Sequence, residues 1–166
     1  MMTETKRTVD ILIVCTGNIC RSPMAEGLLK HHVFPEWNGQ LHVHSAGTFG
    51  LDGNRAEPNA VQAMAQMGID IRSHRARSID PCMIQEADGI VVMEEMHRDY
   101  IRAVLPGDAE KVHLLGEFSR PEKPQEVADP YGGPLERYQA CARFMQPGIA
   151  ALVEHISRTF FSHFLK

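Results

Sequence analysis

The sequence contains no apolar run approaching the ~18–20 residues that a membrane-spanning helix needs, so no membrane insertion is expected. It also lacks a dominant charge. Seventeen Lys and Arg oppose 21 Asp and Glu, for a formal net of −4, which offers nucleic acid no grip by bulk charge. Cysteine is scarce, at four residues: Cys15, Cys20, Cys82 and Cys141. A chain of 166 residues buries roughly two-thirds of its unfolded surface and needs no disulfide frame. The spacing of Cys15 and Cys20 fits no short zinc hook, and a reducing cytoplasm suits this cysteine usage best. Repeats, low-complexity segments and composition shifts are absent, so residues 1–166 are read as a single domain. At 43% apolar and 23% charged residues, the composition excludes a disordered chain. The opening MMTETKRTVDILIV is polar, then briefly apolar, and has no small-residue cleavage site. It reads as a strand rather than a signal peptide.

What is present is an alternation of apolar runs and amphipathic stretches. Val9–Val14 is a short β-branched run of the kind that fills a buried parallel strand. Ser22 followed by Pro23 reads as an N-cap with proline at the first helical position, opening a helix that carries Met24, Ala25, Leu28 and Leu29. A second strand is expected at Gln40–His44. A helix over Asn59–Met67 should end at a left-handed Gly68. Asp80-Pro81 starts a short helix before a third strand, Gly89–Met93. Glu95–Val104 is helical, Lys111–Leu115 is a fourth strand, and Gly116–Gly133 reads as structureless. The last long helix begins near Pro134, with a kink or break expected at Pro147-Gly148. Strands joined by helical crossovers predict an α/β fold: a four-stranded parallel twisted sheet with helices on both faces and a phosphate-binding loop after the first strand. Ligands in such sheets bind beyond the carboxyl ends of the strands, and the first strand ends at Cys15.

The segment after that strand, Thr16-Gly17-Asn18-Ile19-Cys20-Arg21-Ser22, is built to hold an anion. Gly17 and Asn18 both tolerate left-handed backbone, which turns successive N–H groups inward as a nest. The following helix adds its positive end. Arg21 supplies a fork of donors matched to a tetrahedral oxyanion. A cysteine placed at the focus of such a field is favoured as its thiolate, the nucleophilic form. The long loop before the last helix offers a candidate for the acid that a leaving group requires. Asp129 is its sole aspartate, held extended by Pro130.

CTGNICRSP resembles the signature loop of the low-molecular-weight protein tyrosine phosphatases. The resemblance runs nearly end to end, through Ser45-Ala46-Gly47-Thr48, Ser73-His74-Arg75-Ala76-Arg77 and Asp129-Pro130-Tyr131. It implies metal-free hydrolysis of phosphotyrosine monoesters through a phosphocysteine, with no cofactor. Cys15 would be the nucleophile, and Arg21 would grip the phosphoryl oxygens. Asp129 would protonate the leaving oxygen and then activate water. Asn18, Ser22, Ser45 and His74 would hold the loop, with Ser22 also hydrogen-bonding the sulfur. Tyr131 would wall the pocket opposite Phe49 or Leu51. Cys20 would be a reversible disulfide partner of Cys15, while Cys82 and Cys141 are expected to be inert core thiols. Glu94 stands where some relatives carry aspartate, and no supporting role is assigned to it.

Two other chemistries share such a loop. An arsenate reductase would need further cysteines after the third strand, and Glu94–Leu105 has none. In protein-arginine phosphatases the position of Ile19 tends to be threonine. A silent phosphate-binding module would not need nucleophile, arginine and acid together. His42 and His44 share a strand face, but a pair without a third ligand does not make a metal site. Arg72, Arg75 and Arg77 could form a basic rim for phosphopeptides. The expected partner is a tyrosine-phosphorylated protein, with a bacterial tyrosine kinase as one candidate, and the expected state is a monomer.

Overall fold

A computed structural model describes residues 7–165. Four strands, β1 (Val9–Cys15), β2 (Leu41–Gly47), β3 (Gly89–Val92) and β4 (Val112–Leu114), form one parallel sheet in the order β2-β1-β3-β4. Helices α1 (Arg21–His32), α2 (Pro58–Ala65), α3 (Pro81–Glu86), α4 (Glu95–Val104), α5 (Leu115–Ser119) and α6 (Leu135–Phe160) complete the fold. The expected fold class is therefore the observed one.

The period of the strands sorts side chains onto two faces. Ile11, Ile13 and Cys15 of β1 join Met24, Leu28, Ile149 and Leu152 in one buried cluster, beneath α1, α2 and α6. Leu12 and Val14 join Ile84, Ile90, Ile101 and Leu114 in the other, against α3 and α4. Central β1 is thus apolar on both sides, and its carboxyl end delivers Cys15 to the top of the sheet.

Several element boundaries differ from the sequence reading. Strand β2 runs on through Ser45-Ala46-Gly47, because these residues keep pairing with Ile13, Val14 and Cys15 of β1; glycine is needed at 47, where a Cβ would strike the Thr16 carbonyl at 2.2 Å. The 116–133 stretch is not wholly structureless, since α5 occupies its first residues. The expected break in α6 does not occur. One helix spans Leu135–Phe160 with Pro147 inside it, and its buried stripe, including Tyr138, Met145, Ile149, Leu152 and Ile156, lies on both sides of the proline. An interior proline costs about 3 kcal/mol, whereas each buried aliphatic side chain contributes ~1.5–3 kcal/mol, so packing wins. Gly148 has its own packing reason: a Cβ there would meet Leu115 Cγ at 2.8 Å. Among the described residues, no helix is long and apolar enough to cross a membrane.

Candidate active site

Between Cys15 and Arg21 the chain makes a tight loop whose carbonyls are drawn outward. The carbonyls of Cys15, Thr16 and Gly17 accept from the amides of Thr48, Phe49 and Leu51 at 3.0, 3.0 and 3.1 Å. Those of Asn18 and Ile19 accept from His74 Nε2 at 2.7 Å and the Glu57 amide at 2.9 Å. In a trans peptide the C=O and the following N–H point in opposite directions. Outward carbonyls at 15–19 therefore turn the amides of residues 16–20 toward the opposite side, as the nest requires. Helix α1 opens directly behind, with no side-chain cap and no acidic residue in its first turn. Its free N–H groups and positive end face the same point.

Asn18 makes the loop possible. Among the described residues it is the one non-glycine with positive φ, at 59°. Left-handed backbone costs an ordinary residue ~1–2 kcal/mol. Against that, its buried carboxamide donates from Nδ2 to Ser22 Oγ at 2.7 Å and to Ser45 Oγ at 2.9 Å. Its Oδ1 accepts from the Arg77 amide at 2.9 Å. Three such bonds, at about 1 kcal/mol each, more than offset the strain. Gly17, expected to share this conformation, is not left-handed; one reversal at Asn18 suffices.

Ser22 is not the N-cap that its position before Pro23 suggests. The helix starts at Arg21, and the Ser22 hydroxyl turns inward to lie 3.0 Å from Cys15 Sγ while accepting from Asn18. A buried hydroxyl between two polar partners outcompetes a capping bond that water could replace.

The Arg21 side chain is only 2% exposed. Its Nη1 donates to the Glu94 carboxylate and to the Val127 carbonyl at 2.8 Å. Glu94, given no role above, therefore braces the guanidinium; its extra methylene relative to aspartate does not prevent the contact. Nη2 lies 3.5 Å from Thr16 Oγ1 and 3.6 Å from Asp129 Oδ2. Asp129 is 47% exposed along its side chain and fixed by the Tyr131 amide, which donates to Oδ1 at 3.0 Å.

These groups enclose a cleft of about 250 Å³. Cys15, Thr16, Gly17 and Arg21 line its base, with Ile19 and Cys20 beside them. Phe49, Leu51 and Tyr131 wall it, and Asp129 stands among them. Phe49 and Tyr131 are 69% and 60% exposed, apolar surface left open to a flat ring. A larger cleft of about 520 Å³ lies behind the Asp129 segment. Its one thiol, Cys141, is buried and pushed up to about 12 by that burial, which keeps it protonated.

Cys20 is buried and 3.6 Å from the Tyr138 hydroxyl. Burial raises its thiol to about 12 and also raises the Tyr138 phenol. Cys82 corrects the expectation of a core thiol: it is exposed on α3.

Two features escaped the sequence. His97 is fully buried and places Nε2 at 2.9 Å from Thr16 Oγ1, with burial and the Arg21 charge lowering its pKa to about 4. Its third-position spacing from Glu94 was the one available signal. The pair His42 and His44 also gains a third neighbour in Asp10, whose carboxylate lies 3.0 and 2.6 Å from their ring nitrogens. Arg77, a donor only, meets His44 Nδ1, so the ring proton sits on Nε2 and is given to Asp10. The nitrogen lone pair an ion would need is already engaged. Arg77 is thus an internal brace, also donating to the Ser45 carbonyl at 3.0 Å, and not part of a basic rim. Arg72 is exposed and paired with Asp70 at 2.8 Å.

Comparison with known proteins gives a consistent result. A family model described as low molecular weight phosphotyrosine protein phosphatase matches residues 10–160. A probable low molecular weight protein-tyrosine-phosphatase, EpsP of Ralstonia nicotianae, is 38% identical over 146 residues, covering 88% of this chain and 94% of that protein. The YwlE arginine phosphatase of Geobacillus stearothermophilus superposes with a TM-score of 0.84 at 33% identity, over 93% of this chain and 97% of its own. A low molecular weight protein tyrosine phosphatase from T. tengcongensis gives 0.79 at 34% identity, over 89% and 99%.

Proposed function

The chain belongs to the low molecular weight phosphotyrosine protein phosphatase family, a family of hydrolases, and we propose that it dephosphorylates protein phosphotyrosine through a phosphocysteine intermediate. The observation that carries this reading is the convergence on one thiol. Cys15 sits at the base of a cleft where inward amides, a helix start and a braced guanidinium all favour a phosphoryl dianion. The aromatic walls suit an aryl ester, and Asp129 stands within reach of its oxygen.

In the proposed reaction the Cys15 thiolate attacks phosphorus in line. The S–P bond forms as the P–O bond to the phenol breaks, and Asp129 gives its proton to the departing oxygen. Water then attacks phosphorus, returns a proton to Asp129 and expels Cys15 as thiolate, releasing inorganic phosphate. Ser22, 3.0 Å from Sγ, stabilises the sulfur anion in both steps. Amides of Thr16 to Ser22 and the Arg21 fork hold the phosphoryl oxygens as charge builds. Asn18, Ser45 and His74 keep the loop in that form.

Cys20 is the proposed redox partner. Peroxide oxidises Cys15 to a sulfenic acid, and Cys20 condenses with it, losing water and forming a reducible disulfide. The chain acts as a single cytoplasmic, monomeric domain on a tyrosine-phosphorylated protein, with a bacterial tyrosine kinase as a candidate substrate.

Similarity to the arginine phosphatase supports a second reading, hydrolysis of phosphoarginine. Against it stands Ile19, an aliphatic side chain at the cleft where that activity is associated with threonine. Parallel assays on phosphotyrosine and phosphoarginine peptides, with chelator present, decide. Turnover of phosphotyrosine alone is expected. Preference for phosphoarginine would overturn the assignment, and inertness toward both would favour a silent phosphate-binding module.

A further inference from the structure

His97 lies at the third position of α4, outside the signature loop, yet it is fully buried against that loop. Its two ring nitrogens have different work. The backbone amide of Glu94 donates to Nδ1 at 3.1 Å. An amide can only donate, so Nδ1 is unprotonated and the ring proton is on Nε2. Nε2–H then donates to Thr16 Oγ1 at 2.9 Å, across 81 positions of sequence. Thr16 is the residue immediately after Cys15. Glu94 is the residue whose carboxylate holds Arg21.

We propose that His97 is a positioning residue for the oxyanion loop, a neutral link that ties the peptide carrying Arg21's carboxylate brace to the hydroxyl beside the nucleophile. The inference rests on the reading of the 15–21 loop as a phosphoryl site. The geometry states why a neutral imidazole is needed. A second ring proton would sit on Nδ1, facing the Glu94 amide, and would add a cation beside Arg21. The charged groups around the ring are Arg21 from α1, Glu94 at the start of α4 and Asp129 from the acid loop. Burial is the main reason its pKa falls to about 4, with Arg21 adding to it and the two carboxylates opposing. The link therefore persists through the range in which a phosphatase works. It also explains why Thr16 is oriented at all: Oγ1 receives His97 on one side and Arg21 Nη2, at 3.5 Å, on the other.

The first test does not depend on activity. Nitrogen-15 correlation NMR of the wild-type imidazole is expected to show the Nε2–H neutral form from pH 8 to about 5. A ring titrating near its ordinary ~6.5, or carrying its proton on Nδ1, would overturn the proposal. The second test uses three variants. His97→Asn keeps an acceptor for the Glu94 amide but cannot reach Thr16, so the fold should persist with a melting temperature lowered by only a few degrees. Its kcat for an aryl phosphate should fall about tenfold with KM little changed, and vanadate should bind about tenfold less tightly. Thr16→Val should do the same. The double variant should be no worse than either single, because both remove one bond. Additive losses, or full kcat in His97→Asn, would refute the link. A wild-type protein that turns over no aryl phosphate would sink the phosphatase reading, while the NMR tautomer would still decide this one. If His97→Asn does not fold, Thr16→Val and the NMR measurement carry the test.

Discussion

Nη2 of Arg21 lies 3.6 Å from Oδ2 of Asp129, joining the start of α1 to a loop more than a hundred residues later. The two groups on which the proposed chemistry divides, phosphoryl binding and proton donation, are therefore neighbours before any substrate arrives. Pro130 and the Tyr131 amide restrict the aspartate, so it waits beside the place where a leaving oxygen would emerge. A phosphoryl group entering the cleft would take the guanidinium for itself and leave Asp129 to the ester oxygen.

Replacing Asp129 by Ala should therefore slow poor leaving groups far more than good ones. For phenyl phosphate the expected loss is ~10²–10³-fold, within the range for general acid catalysis, and for an activated nitrophenyl ester much less. Steady-state rates across a series of aryl phosphates measure this. A uniform loss would remove Asp129 from the role of acid.

Glu94→Ala should release Arg21 from its carboxylate while leaving the Val127 carbonyl as its partner. Removing one side of a charge-assisted bond to a guanidinium that is 2% exposed should cost ~1–3 kcal/mol of stability. It should also lower kcat/KM by about tenfold or more. Denaturant unfolding and aryl phosphate kinetics check the pair. Wild-type values in both would mean that the salt bridge is incidental.

Asn18 allows backbone strain to be separated from hydrogen bonding. Asn18→Ala should cost ~3 kcal/mol or more, since it loses three carboxamide bonds and retains φ near 59° with a side chain that disfavours it. Asn18→Gly loses the same bonds but not the conformational preference, so it should be less damaging by ~1 kcal/mol. Equal losses on urea denaturation would show that the left-handed backbone contributes nothing.

Acid should weaken the fold through His97. Its folded pKa, lowered to about 4 from 6.5, means that the unfolded chain binds the proton more readily. The contribution is fully present above pH 6.5, declines as pH falls toward 4, and below that is lost. At its greatest the difference is ~3 kcal/mol. Urea midpoints from pH 7 to 4 should fall less steeply in His97→Asn than in wild type. Parallel curves would remove His97 as the source.

Much of this fold was legible because its cues are local. The β-branched run before Cys15 is a buried strand, and the nest residues and the Asp-Pro pair are contiguous strings. What escaped was made by tertiary contact. Glu94 and His97 reach the loop across 73 and 81 positions, and no spacing rule joins them to Arg21 or Thr16. Asp10 meets His42 and His44 only through the β1–β2 register. Ser22 misled because a local capping preference of about 1 kcal/mol lost to a buried network. Pro147 misled for the same reason on a larger scale, one missing amide against the packed face of α6.

The proposed reaction turns on a covalent bond between Cys15 sulfur and phosphorus. Rapid quench of the protein with an activated aryl phosphate, followed by peptide mass spectrometry, would detect that bond. One phosphoryl group is expected on the peptide containing Cys15, enriched in Asp129→Ala and absent in Cys15→Ala. Undiminished turnover in Cys15→Ala, or phosphate trapped on another residue of the wild-type chain, would rule the phosphocysteine out.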